Sequence, residues 1–251
     1  MNLPEKQNLK VVISYDGTNY NGYQSQKNGI GIEDVIKKSL FKIHRADTPV
    51  ICAGRTDSGV HAEGQVINFF TDKFKMTGEN WIGFFNSELP HDIKVMSVDP
   101  VPPTFNARRS AKAREYRYQI VKGHTISALL YRYAVTSPYR NVTVERINAY
   151  GKNLVGIHDF TSFCCASDVN KTKIRNLISF NAQESNGLIT VNIKGNAFLY
   201  NMIRIIMGTI FKLSKEDAPS EVIVDLLKAK DRQLTGPTAP ARGLVFQEVF
   251  Y

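Results

Sequence analysis

Cysteine is scarce: 251 residues carry three, Cys52, Cys164 and Cys165. Three cannot complete a disulfide framework, and neither spacing suits a zinc site. They read as small apolar side chains in a reducing compartment. Long apolar runs are missing as well, so no segment is expected to span a membrane. The opening Met1-Asn2-Leu3-Pro4-Glu5-Lys6 has no hydrophobic signal core. The expected location is the cytoplasm. There is no Walker loop, no Rossmann glycine pattern after a strand and no cluster of His and Cys ligands, so neither a nucleotide cofactor nor a metal is expected. Low-complexity segments and short solenoid repeats are absent too. Acidic residues are in deficit, 23 against 32 Lys and Arg, for a net charge of +9. A surplus of that size favours a polyanionic partner, because each phosphate neutralised releases counterions. With no membrane span, nucleic acid is the better partner.

Hydrophobic content of 43% over this length supports one large domain or two small ones with a substantial core. The pattern divides into two halves with the same order of elements. Leu9 to Tyr15 reads as a strand closed by Asp16-Gly17. Ile32, Val35, Ile36, Leu40 and Ile43 have helical spacing. Val50 to Ala53 and Gln65 to Thr71 read as strands. Trp81, Phe84, Phe85 and Leu89 mark a second helix with Thr77 as N-cap, and Ile93 to Val98 a further strand. Pro100-Val101-Pro102-Pro103 interrupts regular structure, which sets the expected units at 1–104 and 105–251. Beyond it, Arg114 to Val121 is a strand, and Thr143 opens a helix carrying Val144, Ile147 and Leu154. Ile174 to Ala182 and Leu188 to Lys194 form a hairpin through Asn186-Gly187. Phe198 to Leu213 gives an apolar helix, Ser220 caps another, and Leu244 to Tyr251 closes the chain. The expected class is α+β: two ferredoxin-like β-α-β-β-α-β halves with mainly antiparallel sheets and a cleft between them.

Three segments carry candidate chemistry. In Cys52-Ala53-Gly54-Arg55-Thr56-Asp57-Ser58-Gly59-Val60-His61-Ala62 one carboxylate stands between two glycines and near an arginine, where a short apolar run ends. Such a turn presents Asp57 outward, and Arg55 keeps it ionised, as a nucleophile or base requires. A turn whose aspartate bonds its own backbone is the plainer alternative. In Phe105 to Tyr118 five cations interleave with aromatics, as on a surface that grips phosphates and stacks bases. Strand alternation puts Arg114, Tyr116 and Tyr118 on one face and Glu115 and Arg117 on the other; Tyr118 reads as core. In Ala197-Phe198-Leu199-Tyr200-Asn201-Met202-Ile203-Arg204 a single arginine enters an apolar helix. It either snorkels to solvent or meets a buried carboxylate, since an unpaired buried charge is costly.

Together these segments resemble the tRNA pseudouridine synthase A family, along nearly the whole chain and most specifically in the aspartate loop. That family breaks the bond between sugar and uracil N1, turns the base and rejoins it through carbon, with no cofactor or metal. The resemblance implies that Asp57 is the nucleophile, that Tyr116 packs against the flipped uracil and serves in its conversion, and that Arg204 pairs with Asp57 across the two halves. Arg55, Arg108, Arg109 and Arg114 would hold phosphates. Gln24 lies in Gly22-Tyr23-Gln24, a family segment whose middle residue is usually tryptophan. Asp159 to Phe163 also has a family counterpart but reads as a structural turn. Gly236 to Leu244 is similar to the closing segment whose hydrophobic side chain, here Leu244, lines the uracil pocket. His61 either bonds a phosphate or base or fixes the loop through its own hydrogen bonds. The family acts as homodimers on uridines at the 3′ side of the tRNA anticodon stem-loop, one tRNA being held by both subunits. Phe84-Phe85-Asn86-Ser87, Asn106 in place of a usual histidine, and the loop from Lys122 to Pro138 depart from its pattern. They fall where contacts to the RNA body are expected. Action on other tRNA or ribosomal RNA positions, and a non-catalytic RNA-binding module, therefore stay open. A hydrolase with an aspartyl intermediate is disfavoured, because no phosphate loop or acidic metal cluster accompanies Asp57.

Overall fold

A computed structural model describes residues 6–137 and 139–251. Residues 1–5, read above as lacking a signal core, and Pro138, which ends the divergent loop, lie outside the described residues. The chain divides into two compact units, Met1–Lys112 with Phe246–Tyr251, and Ala113–Val245.

The first unit runs β1 (Gln7–Tyr15), α1 (Ile32–His44), β2 (Ile51–Cys52), β3 (His61–Thr71), α2 (Gly78–Glu88) and β4 (Ile93–Val101). Its strands lie in the order β4-β1-β3, with β2 on β3. Both neighbours of β1 are antiparallel to it, Val11 facing Ile67 and Val98. Alternation along β1 buries Leu9, Val11, Ile13 and Tyr15. Ile36 and Leu40 of α1 and Trp81 and Phe85 of α2 are equally buried, each apolar side chain contributing roughly 1.5–3 kcal/mol. The Trp81 ring meets Phe69 edge-on at 5.4 Å. Thr77 caps α2 as expected, its Oγ1 accepting from Asn80 N at 3.2 Å. The strand expected over Val50–Ala53 shortens to Ile51–Cys52. Ala53 N still reaches Val66 O, but Gly54 turns its backbone to the Gln65 side chain instead of the ladder.

The sequence places the seam at Pro100–Pro103, whereas contacts carry the first unit on to Lys112. Asn8 Nδ2 donates to the carbonyls of Pro102 and Phe105, Lys112 N to Phe250 O, and the Tyr251 hydroxyl to Ala107 O. These bonds bind residues 105–112 and the C-terminus to β1 and β3 surroundings that no local pattern records.

The second unit contains β5 (Ala113–Val121), β6 (Val135–Thr136), α3 (Val144–Lys152), β7 (Gly156–Asp159), β8 (Ile174–Ser185), β9 (Leu188–Gly195), α4 (Met202–Lys215) and α5 (Val222–Ala229). β10 (Leu244–Phe250) ends the chain, Leu244 and Val245 clustering here and the rest with the first unit. The sheet order is β5-β9-β8-β7, and β6 adds to β5 in parallel. Asn186 (φ 51°) and Gly187 (φ 75°) turn the β8–β9 hairpin, as a tight two-residue loop demands. α4 begins at Met202 rather than Phe198, because Asn201 is left-handed (φ 61°) and cannot sit in a right-handed helix. Ser220 does not cap α5: the N-cap is Glu221, without a side-chain bond. The class is thus α+β with mainly antiparallel strand pairing. Among the described residues no helix is long and apolar enough to cross a membrane.

Candidate active site

In the first unit the aspartate loop is bound at nearly every residue through its backbone. Gln65, fully buried, accepts from Gly54 N (3.3 Å) and donates to Gly54 O (2.5 Å). The Thr56 hydroxyl meets the Tyr15 hydroxyl at 2.8 Å, and Thr56 O accepts from Tyr23 N at 3.0 Å. Val60 N closes the turn onto Asp57 O (3.1 Å), and Gly59 N reaches Tyr20 O (3.4 Å). Gly22 approaches so closely that a Cβ there would lie 2.5 Å from Thr56 O, and its φ of +86° also demands glycine. Gly59 turns at φ +76°. Asp57 itself is half-buried and Arg55 exposed. Burial pushes the Tyr15 phenol well above its ordinary range, outweighing its bonds to Thr56 and Gln65, so it stays a neutral hydroxyl in this network.

His61 is 3% exposed; its Nδ1 lies 3.1 Å from Gly17 N and 3.0 Å from Asp16 Oδ1. A ring nitrogen accepts from the amide when neutral and donates to the carboxylate when protonated, so either form ties the loop's exit to the Asp16-Gly17 turn. Arg108 and Arg109 are exposed. Asn106, where the family usually has histidine, uses Oδ1 to accept from both their backbone N–H groups (3.1 and 2.9 Å) and so shapes the turn presenting them. Arg55 and Arg108 both act on the Cys52 thiol. Burial pushes that thiol up to about 11 and the two cations oppose it. Gln24 is exposed.

In the second unit β5 alternates as expected. Arg114, Tyr116 and Tyr118 are buried (8%, 7% and 0% exposed). Arg114 donates from Nη1 to Asn196 O at 2.8 Å. The Tyr116 ring stands edge-on to Phe198 at 5.1 Å. Tyr118 is core, and its hydroxyl donates to Pro240 O at 2.9 Å, fixing the segment that leads to buried Leu244. Arg204, half-buried in the first turn of α4, donates from Nε to Ala239 O (2.8 Å) and from Nη1 to Asn201 Oδ1 (2.9 Å). A guanidinium carries five N–H donors, so these two bonds do not exhaust it.

Residues that fix the site but escaped the sequence reading are Tyr15, Tyr23, Gln65 and Asn201. Gln65 had a signal: a polar residue set directly before apolar Val66 and Ile67 in a strand. Gln65→Leu would remove both bonds to Gly54 and should lower stability by about 1–3 kcal/mol. Thermal melting and turnover measure this; an unchanged midpoint with unchanged turnover would show that the loop does not depend on this clamp. Among the described residues no group of three or more His, Cys, Asp or Glu could hold a metal ion.

Comparison with known proteins assigns these features to one family. A profile described as tRNA pseudouridine synthase matches residues 11–108 and 151–251, which include Asp57, Arg204 and Leu244; Tyr116 lies between the two matched stretches. The chain is 38% identical over 245 residues to tRNA pseudouridine synthase A of Bacillus pumilus, covering 97% of this chain and 98% of that protein. It is 36% identical to the Citrobacter koseri protein of that name (99% and 91% covered) and 40% identical to that of Hydrogenovibrio crunogenus (97% and 92%). The similarity therefore runs end to end through both units, and the chain belongs to the tRNA pseudouridine synthase family, a family of isomerases.

Proposed function

We propose that this isomerase converts uridine to pseudouridine on the 3′ side of the tRNA anticodon stem-loop, with Asp57 as nucleophile. The carrying observation is the aspartate loop itself: it lies inside the matched residues, and buried side chains on β1 and β3 hold its Thr56 hydroxyl and its Gly54 backbone. A nucleophile held this firmly meets its target without reorganising. The uridine must leave the stack first, because the reacting atoms are inaccessible within it. Asp57 then attacks the extruded uracil or its sugar. The N1–C1′ bond breaks, the base turns, and a C5–C1′ bond forms; the C5 proton leaves and N1 gains one, so atoms and electrons balance without a cofactor. Tyr116 stacks on the base and assists removal of that proton. Arg204 orients Asp57 and helps displace the base, and Leu244 lines the uracil pocket.

Exposed Arg55, Arg108 and Arg109 hold phosphates of the RNA body, and exposed Gln24 also contacts the RNA. Arg114, deeper against Asn196, also holds phosphate, and His61 keeps the loop in register. Each unit acts as a ferredoxin-like module; in the first, the antiparallel order β4-β1-β3 with β2 also pairing β3 supports this. The working form is a cytoplasmic homodimer holding one tRNA on both chains. Incubation of the purified protein with unmodified tRNA transcripts, followed by mapping of pseudouridine, tests the reading. Product at the anticodon stem-loop is expected. Absence of product on every tRNA would refute the substrate class, and product on ribosomal RNA alone would move the target.

A further inference from the structure

Asparagine is among the best helix N-caps, because its side chain accepts from the first free N–H groups. Asn201 occupies that position before α4 yet makes no such bond. Its Oδ1 instead accepts from Arg204 Nη1 at 2.9 Å. Its backbone is left-handed, φ 61° and ψ 7°, a conformation that few residues other than glycine, asparagine and aspartate tolerate.

The residues around it hold that geometry. Tyr200 N donates to Asp168 Oδ2 (2.7 Å), and Tyr200 O accepts from Cys165 N (3.1 Å). Asp168 is fixed in turn by Lys173 Nζ (2.7 Å) and Asn170 N (2.8 Å). Burial alone would raise its carboxyl, but Lys173 and the N–H groups of Tyr200 and Asn170 hold it well below the usual carboxylate range. It is thus ionised throughout the pH range in which tRNA is handled. On the other side, Ala239 N returns a bond to Arg204 O (3.0 Å) while Ala239 O takes Arg204 Nε (2.8 Å). The guanidinium is therefore gripped at two nitrogens, once by a fixed carbonyl and once by a side chain in an unusual backbone conformation.

We propose that Asn201 is a positioning residue for the isomerisation, setting the bearing of the Arg204 guanidinium. This rests on the reading of Arg204 as part of the catalytic machinery. The left-handed backbone turns the side chain away from the free N–H groups of α4 and leaves Oδ1 to Arg204.

Two variants separate the side chain from the backbone. Asn201→Gly keeps the left-handed conformation and removes Oδ1. Asn201→Asp keeps both and makes the bond charge-assisted. The Gly variant should lose kcat by about tenfold to a hundredfold, the scale of a misplaced catalytic group, with KM for tRNA and the melting midpoint unchanged. The Asp variant should restore most of the loss. In an Arg204→Ala background, Asn201→Gly should add nothing further, since the group it positions is gone. Full kcat in Asn201→Gly beside an inactive Arg204→Ala would overturn the positioning role and leave Arg204's standing intact. Full turnover in Arg204→Ala itself would overturn the underlying reading and this inference with it. If the Gly variant melts early, the Asp variant decides: turnover far below wild type in a stably folded Asp protein refutes the role of the acceptor.

Discussion

An Asp57→Asn protein should fold, bind tRNA and form essentially no pseudouridine, with turnover reduced by about 10⁴-fold or more, the scale on which loss of a catalytic nucleophile is felt. The exchange leaves shape and volume nearly unchanged and removes charge and nucleophilicity, since a neutral amide oxygen attacks far more weakly than a carboxylate. The fold should tolerate it. The loop is anchored through Gly54, Thr56, the Asp57 carbonyl and Gly59, with Gln65, Tyr15, Tyr23, Val60 and Tyr20 as partners. None of those bonds uses the carboxylate. Release of tritium from uridine labelled at C5 follows the reaction directly, because C5 exchanges its proton for the bond to the sugar. Gel-shift titration measures binding separately. Retained tRNA affinity with lost tritium release is the expected pair of results. Turnover within tenfold of the unaltered protein would remove Asp57 from the nucleophile's role and return the loop to its plainer reading, a turn whose aspartate serves the backbone.

The parts of this molecule legible in its sequence are those in which neighbouring residues report on one another. β1, α1, α2 and the Asn186-Gly187 hairpin follow from periodicity, a cap and a turn dipeptide. So do the shared face of Arg114, Tyr116 and Tyr118 on β5 and the burial of Tyr118. What periodicity missed depends on partners distant along the chain or on elements too short to repeat. β6 and β7 have two and four residues, too few for alternation to register. The start of α4 was set too early because Phe198 fits the helical spacing, while the left-handed Asn201 that breaks it leaves no periodic trace. The aspartate loop was recognisable from its own eleven residues, yet its rigidity comes from Tyr15 and Gln65 on flanking strands. Those residues read as ordinary strand positions until the fold brings Tyr15 to Thr56 and Gln65 to Gly54. Arg114 shows the same limit. Its place on the Tyr116 face of β5 was legible, but not that it would lie 8% exposed against the Asn196 carbonyl.

Arg204→Ala should be nearly as damaging to chemistry as the loss of Asp57, with turnover down by about 10³-fold, the range found when a preorganised electrostatic group is removed. Its effect on folding should be far smaller. Truncation takes the Nε donor from Ala239 O, and Ala239 is 3% exposed. One buried carbonyl left without its partner costs about 1–3 kcal/mol, against a typical total stability of about 5–15 kcal/mol. Two further bonds keep the 236–239 segment on α4 in the variant. Ala239 N reaches the Arg204 carbonyl, which the substitution retains, and Gly236 N reaches Thr209 Oγ1 at 3.0 Å. Arg204→Lys sharpens the test. It preserves the charge but replaces a planar fork by one ammonium on a flexible stem. That ammonium cannot reproduce the angle between the Ala239 carbonyl and Asn201 Oδ1, so it should recover less than about tenfold of the lost rate. If charge alone were needed, the lysine protein would approach full activity. A weak lysine variant beside a stably folded, inactive alanine variant would instead mean that direction matters as much as charge. Direction is what the two clamps on this guanidinium supply, and it is the property an arginine needs if its task is to aim a carboxylate at a base that has been turned out of its stack.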